Sequence, residues 1–212
     1  FFLELFVRLI YRNATSILIS SKGFESKLKP YVKKDLIFNY LPNWADDLNM
    51  DLVGAKFSID DRVHFTFAGN IGKMQNLDKI INAFSSLSDE YKKKSQLNII
   101  GDGSNLKHLK PLSENNKHII FHGRKPREDM AKYYKASDFL IISLKDEPVF
   151  YATVPAKTQT YIAAKKPILA FINGETADII KYYNLGLYAN PSDIESIKNV
   201  FEESIDMSKD KK

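Results

Sequence analysis

The sequence predicts an α/β fold, a Rossmann-like parallel sheet with helices on both faces, and three observations carry that prediction. Fully apolar runs such as Phe139-Leu140-Ile141-Ile142 and Pro167-Ile168-Leu169-Ala170-Phe171 read as strands buried on both sides. Between such runs, apolar residues recur at helical spacing, as Leu77, Ile80, Ile81, Phe84 and Leu87 do on one face. From Val63 onward strand and helix alternate, the order that builds a parallel sheet covered on both sides.

Residues 1–12 come first, an apolar helix whose only charges, Glu4, Arg8 and Arg12, recur every four residues and share one face. Its other faces are more apolar than a lone surface helix needs. They call for cover by the helix's own domain, by further protein, by a second subunit or by a membrane interface. Residues 16–20 read as a strand, 24–31 as a short helix and 35–39 as a second strand, a β-α-β unit too small to be a domain alone. Leu41-Pro42-Asn43-Trp44 and the acidic residues after it punctuate the chain as a crossing between domains, dividing it into 1–44 and 45–212. In the second part strands are expected at 63–68, 97–100, 119–121, 139–142, 168–171 and 186–189. Helices are expected over 77–87, around Leu106 and Leu109, over 126–135, from Pro155, and over 194–205. Ser192 and Glu195 have capping-box spacing for the last helix, and the charged tail from Met207 is expected to fray.

Composition narrows the function. Hydrophobic residues at 44% and charged residues at 27% describe an ordinary globular protein. The absence of cysteine excludes disulfides, thiolate nucleophiles and cysteine-held metals, and fits a reducing, cytoplasmic compartment. No apolar stretch is long enough to span a bilayer, and the expected place is cytoplasmic, with peripheral contact at the inner face of the membrane as an option. A net charge of +5 favours an anionic ligand or an acidic surface. The lysines are scattered, with no arginine-rich, aromatic-interleaved stripe, so nucleic-acid binding is not expected. The start at Phe1 raises the expectation of a fragment or a processed product.

The stretch from Glu147 to Ala170 places a loop and a helix between two buried strands. Pro155 suits the first helical position, which needs no backbone donor. Lys157 would then project from the first turn, where a cation faces the positive end of the helix dipole. An anion bound there offsets that cost, because a helix start and a lysine together hold phosphate. The alternative is a solvated surface lysine.

Ligands of parallel sheets bind beyond the carboxyl ends of the strands. Gly69-Asn70-Ile71-Gly72-Lys73 follows the first strand of the second part, Gly101-Asp102-Gly103 the second and Gly123-Arg124-Lys125 the third. Glycine permits tight turns and close approach of backbone to a ligand. Three such loops on one rim, two of them with basic residues, point to a phosphate-bearing ligand.

At this point the motifs F-A-G-N-I-G-K-M-Q-N-L, I-I-G-D-G, F-H-G-R, M-A-K-Y-Y-K-A-S-D and V-P-A-K-T-Q-T-Y-I-A-A-K-K-P-I-L-A carry a resemblance. In order and spacing, over 63–201, they resemble the C-terminal domain of GT-B glycosyltransferases. The nearest subgroup is the group 1 (family 4) retaining enzymes of bacterial surface polysaccharide synthesis. The stretch from Tyr11 to Ser21, with Leu41-Pro42-Asn43, is similar to the end of that family's N-terminal domain. The resemblance therefore implies that 1–44 is a remnant of the acceptor domain with the linker, and 45–212 the nucleotide-sugar half. It implies a nucleotide-sugar donor, a UDP-sugar as a rule, bound with neither metal nor other cofactor. It also implies a lipid-linked or saccharide acceptor, as in O-antigen or capsule synthesis, and a missing N-terminal domain without which this chain transfers little.

By the same resemblance the loop with Gly69, Asn70 and Gly72 approaches the diphosphate, which Lys73 or Lys157 neutralises. Arg124 and Lys125 contact the base, Asp102 and Gly103 lie nearby, and Thr153, Val154 and Pro155 face the phosphates. A departing diphosphate gains negative charge, which preorganised N–H and ammonium groups stabilise. Lys157 and Glu147 are the catalytic candidates. Adjacent carboxylates such as Asp146 and Glu147 point apart on a loop, so Glu147 is either an acceptor for a sugar hydroxyl or a solvated charge. Thr160 stands where many relatives carry a ribose-binding glutamate, and a neutral hydroxyl bonds more weakly. Ala152 stands at an earlier glutamate of the same motif, and Lys165 at a glycine. These departures leave room for a non-catalytic nucleotide-sugar-binding subunit, and a GT-B-type sugar epimerase is a further rival. His64, His108, His118 and His122 lack metal-ligand spacing, and His118 and His122 would either line the site or be structural. Tyr133, Tyr134 and Tyr161 read as packing.

Overall fold

The computed structural model describes residues 2–45, 57 and 61–209; the acidic part of the expected crossing, 46–56, lies outside the described residues. The N-terminal part runs α1 (Phe2–Asn13), β1 (Ser16–Ile19), α2 (Gly23–Leu28), a 3-10 turn and β2 (Ile37–Tyr40). β1 and β2 pair in parallel as a sheet of their own, with Ser16 opposite Ile37. No residue of α1 is buried, and Phe2, Leu3, Leu5, Phe6, Leu9 and Ile10 are exposed. The helix touches the 3-10 turn through Arg8, whose guanidinium lies 5.3 Å over the Tyr31 ring. Its apolar face is thus not covered by its own domain among the described residues.

The rest of the chain alternates as expected: β3 (Val63–Ala68), α3 (Leu77–Ser85), α4 (Asp89–Lys93), β4 (Ser95–Ile100), α5 (Leu106–Ser113), β5 (Ile119–Gly123) and α6 (Met130–Ala136). It continues with β6 (Phe139–Ser143), α7 (Lys157–Ala163), β7 (Ile168–Phe171), α8 (Glu175–Tyr182), β8 (Gly186–Tyr188) and α9 (Ile194–Lys209). Among the described residues these strands form one parallel sheet of six in the order β5-β4-β3-β6-β7-β8.

Side chains alternate across the sheet and feed two cores. Phe65 and Phe67 of β3 join Phe84 of α3 and Phe201 of α9 on one face, with Phe65 set edge-on to Phe201 at 4.9 Å. Leu140 and Ile142 of β6 pack with Tyr161 of α7 and Ile180 of α8 on the other. Each fully buried side chain of this kind contributes about 1.5–3 kcal/mol, so the sheet is a rigid platform for the loops at its edge.

The sequence reading differs from the structure in four places. α4 and α8 were not expected; α8 buries little beyond Thr176, Ala177 and Ile180, too weak a stripe to stand out. α7 opens at Lys157, and Pro155 lies ahead of it, its carbonyl accepting from the Thr158 amide at 2.8 Å. The first turn of α9 is held by Asp193, whose Oδ1 accepts from the Glu195 amide at 3.0 Å, while Ser192 turns its hydroxyl to Asp146 at 3.2 Å. α9 also continues through Met207 to Lys209 instead of ending at 205.

Candidate functional site

β3 and β6 are neighbours although the chain makes β4 and β5 between them, so the order of the sheet switches at that pair. A crevice forms at such a point. On the β3 side the three glycine loops are tied together by backbone bonds. Gly69 donates to Ile100 at 2.9 Å, Ile71 to Asp102 at 2.8 Å and Gly101 to Gly123 at 2.9 Å. The glycines make this closeness possible. A Cβ on Gly101 would stand 1.8 Å from the Gly69 carbonyl oxygen, and one on Gly103 would stand 2.4 Å from that of Ile71. The close approach expected toward a ligand is therefore, at these two positions, an approach of loop to loop.

A cleft of about 490 Å³ opens over these loops, lined by Gly69, Asn70, Asp102, Arg124 and Lys125 among others. It thus brings together five of the residues singled out in the sequence. Arg127, which the sequence reading passed over, adds a further cationic side chain to the lining; its place three residues after Arg124 was the available signal. Lys125 lies 5.9 Å over the Tyr133 ring. Most amides of the first loop are already used, since Gly72 donates to Gln75 Oε1 at 3.0 Å. Among the described residues the Asn70 amide has no backbone partner, so the cleft offers side-chain cations more than backbone amides. Gly72 is buried and Lys73 exposed at the start of a 3-10 turn, outside the lining. Gly103 is backed against Ile71, and its amide donates to Asp102 Oδ1 at 2.7 Å.

Lys157 crosses the switch point from the other side. Its Nζ donates to the Ala68 carbonyl at 3.0 Å, sits 4.1 Å over the Phe67 ring and comes within 2.9 Å of where a Gly69 Cβ would be. The residue keeps some accessible surface, but the ammonium end is desolvated, which pushes its pKa down to about 8. A solvated surface lysine does not describe it. Tyr161, on the same helix, also reaches Ala68: its buried hydroxyl donates to the carbonyl and accepts from the amide, each at 3.3 Å. It is part of the support for Lys157 as well as packing.

The remaining candidates lie on the β6 side. Glu147 is exposed and its carboxylate has no partner among the described residues. Asp146 turns the other way and accepts from Asn173 at 2.7 Å and Tyr151 at 2.8 Å, which hold its carboxyl below the usual carboxylate range. The two acids are thus separated in role, as expected for neighbours on a loop. Thr153 and Pro155 are half-buried and Val154 buried, and Thr160 is buried on the inward face of α7; none of the four lines the cleft.

Ser21, Lys22 and Gly23 of the N-terminal part close on the start of α8 through Glu175. Its carboxylate accepts from the Ser21 hydroxyl at 2.5 Å and from the amides of Lys22 at 2.9 Å and Gly23 at 2.6 Å. The Ala152 carbonyl lies against the same hydroxyl and competes for its single proton. No short-range signal marks Glu175 in the sequence, because its partners lie more than 150 positions away.

No histidine lines the cleft, and His108 is exposed on α5. His122 bonds Asn98 Oδ1 at 2.9 Å, and Asn98 Nδ2 lies 3.3 Å from His64 Nδ1, a polar cluster within the sheet face whose burial lowers the His122 pKa. His118 precedes β5 and so stands at the opposite end of that strand from the cleft. Among the described residues no group of acidic or histidine side chains could hold a metal ion, and no helix is long and apolar enough to cross a membrane.

Comparison with known proteins fits this geometry. The chain is 26% identical over 206 residues to a probable glycosyltransferase, WbjE, of Pseudomonas aeruginosa, covering 92% of this chain and 50% of that protein. Its fold superposes on Anabaena Alr3699/HepE, solved with UDP-glucose, with a TM-score of 0.75 at 14% identity, over 98% of this chain and 58% of that one. It superposes on WaaG, a glycosyltransferase involved in lipopolysaccharide biosynthesis, with a TM-score of 0.73 at 17% identity, over 91% of this chain and 54% of that one. The chain therefore spans about half the length of the relatives it matches. Residues 54–212 match the family described as glycosyl transferases group 1, and the chain belongs to that family.

Proposed function

We propose that this chain supplies the donor half of a retaining glycosyltransferase, which moves a sugar from a nucleotide diphosphate, UDP by preference, to a lipid-linked or saccharide acceptor in bacterial surface polysaccharide synthesis. One observation carries the reading: the desolvated Lys157 ammonium meets Gly69 at the edge of a cleft already lined by Arg124, Lys125 and Arg127. A buried cation with no counter-ion is costly, and a pyrophosphate beside Gly69 and Asn70 removes that cost. As the bond between the sugar carbon and the diphosphate oxygen breaks, the oxygen keeps the electron pair, and the ammonium and guanidinium groups stabilise the growing charge. Glu147, exposed on the β6 side, is free to accept from a sugar hydroxyl.

The acceptor side would be completed by an N-terminal domain. The relatives are about twice as long, and the apolar face of α1, with Leu18 of β1 and Ile37 of β2, is exposed here. Closure of the two halves would exclude water and protect the activated sugar from hydrolysis. Retention of configuration, and a cytoplasmic place at the inner face of the membrane, rest on the family resemblance. A thermal-shift screen of nucleoside diphosphates tests the reading: UDP should raise the melting temperature of the wild type and do so far less for Lys157→Ala. No shift with any nucleotide would favour a subunit that has lost donor binding.

A further inference from the structure

A second cavity, of about 730 Å³, runs along α8, away from the cleft over the glycine loops. Glu175, Asp178, Ile179 and Tyr182 line it and recur at i, i+3, i+4 and i+7, one continuous face of the helix. Tyr40 of β2 and Tyr151 of the β6 loop also line it, with Gln159 of α7. Tyr182 and Tyr183 stand edge to face with ring centroids 4.8 Å apart, yet they are 82% and 65% exposed. Neighbouring rings left in solvent beside a cavity mark a binding surface, not a core.

The groove carries donors and acceptors together: Lys22 lines it, its Nζ 5.4 Å over the Tyr40 ring, and the tyrosine hydroxyls both donate and accept. The Asp178 carboxylate is exposed and unpaired among the described residues. Gln159 Oε1 is buried and has no partner, so turning that amide into the groove breaks no hydrogen bond at the oxygen. Glu175 is not available, because Ser21, Lys22 and Gly23 use its carboxylate. Aromatic faces beside donors and acceptors complement a molecule with apolar C–H faces and many hydroxyls, which donate and accept alike; that describes a saccharide. The Lys22 and Asp178 charges oppose one another in this lining, which suits a neutral ligand.

We propose that this groove is a saccharide-binding subsite separate from the nucleotide cleft. Tyr182 and Tyr183 stack on a sugar ring, and Asp178 and Gln159 accept from its hydroxyls. That the saccharide is the acceptor of transfer rests on the reading above; that the groove holds a saccharide does not.

Saturation-transfer NMR on the full chain tests it, with millimolar cellobiose, chitobiose and lactose as probes and spermidine as a cationic control, alongside the UDP thermal shift. At least one disaccharide should receive saturation. The signal should fall at least about fivefold in Tyr182→Ala/Tyr183→Ala and in Gln159→Leu. The tyrosine pair is exposed, so its replacement should leave the fold and the UDP shift intact. No transfer to any of the sugars, equal transfer in the variants, or a signal from spermidine alone overturns the proposal. Sugar binding without a UDP response would sink the transferase reading and leave the groove standing.

Discussion

Lys157 donates to the carbonyl of Ala68 at 3.0 Å, directly against the turn at Gly69. The contact joins α7 to the end of β3 across the switch point and fixes an ammonium group where the sheet presents its crevice. Lys157→Ala should weaken UDP binding by about 1.5–3 kcal/mol, roughly tenfold or more. Calorimetry checks this, and an unchanged affinity would remove Lys157 from the site. Lys157→Met, which keeps the packing on Phe67, should show the same loss with the melting temperature held.

Affinity for UDP should depend on pH through the same group. Desolvation pushes the folded pKa of Lys157 down to about 8 from its usual 10.5, and an anion favours the charged form. Binding should therefore be strongest below pH 8 and fall by up to about tenfold per unit above it. The stability of the free chain should move the other way. Between pH 8 and 10.5 the unfolded chain holds the proton that the folded one has released, so Lys157 adds stability as pH rises through that window. Titrations across it, with Lys157→Met as control, check both signs.

Gly101→Ala should destabilise the fold by about 2–4 kcal/mol, because its Cβ would stand 1.8 Å from the Gly69 carbonyl oxygen and its φ is +137°. Denaturant unfolding measures this. A neutral effect would mean that the glycine loops do not meet as described.

Glu175→Ala should loosen the N-terminal part from the start of α8 by leaving the amides of Lys22 and Gly23 without their acceptor, a loss of about 1–3 kcal/mol. Tryptic cleavage at Lys27, Lys33 and Lys34 should quicken while the six-stranded sheet stays resistant. Unchanged cleavage would show that the clasp contributes nothing in solution.

The sheet was legible in the sequence because each strand is an apolar run set between glycine turns and helical stripes, as Phe139–Ile142 before the β6 loop illustrates. The glycine rim was legible for the same reason. α8 was not, since a helix that buries three residues leaves little periodic trace. The burial of Lys157 was hidden because Phe67 and Gly69 desolvate it from 88 or more positions away. Glu175 and the α8 groove depend on the docking of Lys22 and Tyr40, which no local pattern encodes.

The most direct test is a crystal of this chain soaked in UDP. The account predicts the pyrophosphate in the cleft over Gly69, Asn70, Arg124 and Lys125, within reach of the Lys157 ammonium. A nucleotide bound elsewhere, or none at saturating concentration, would contradict it.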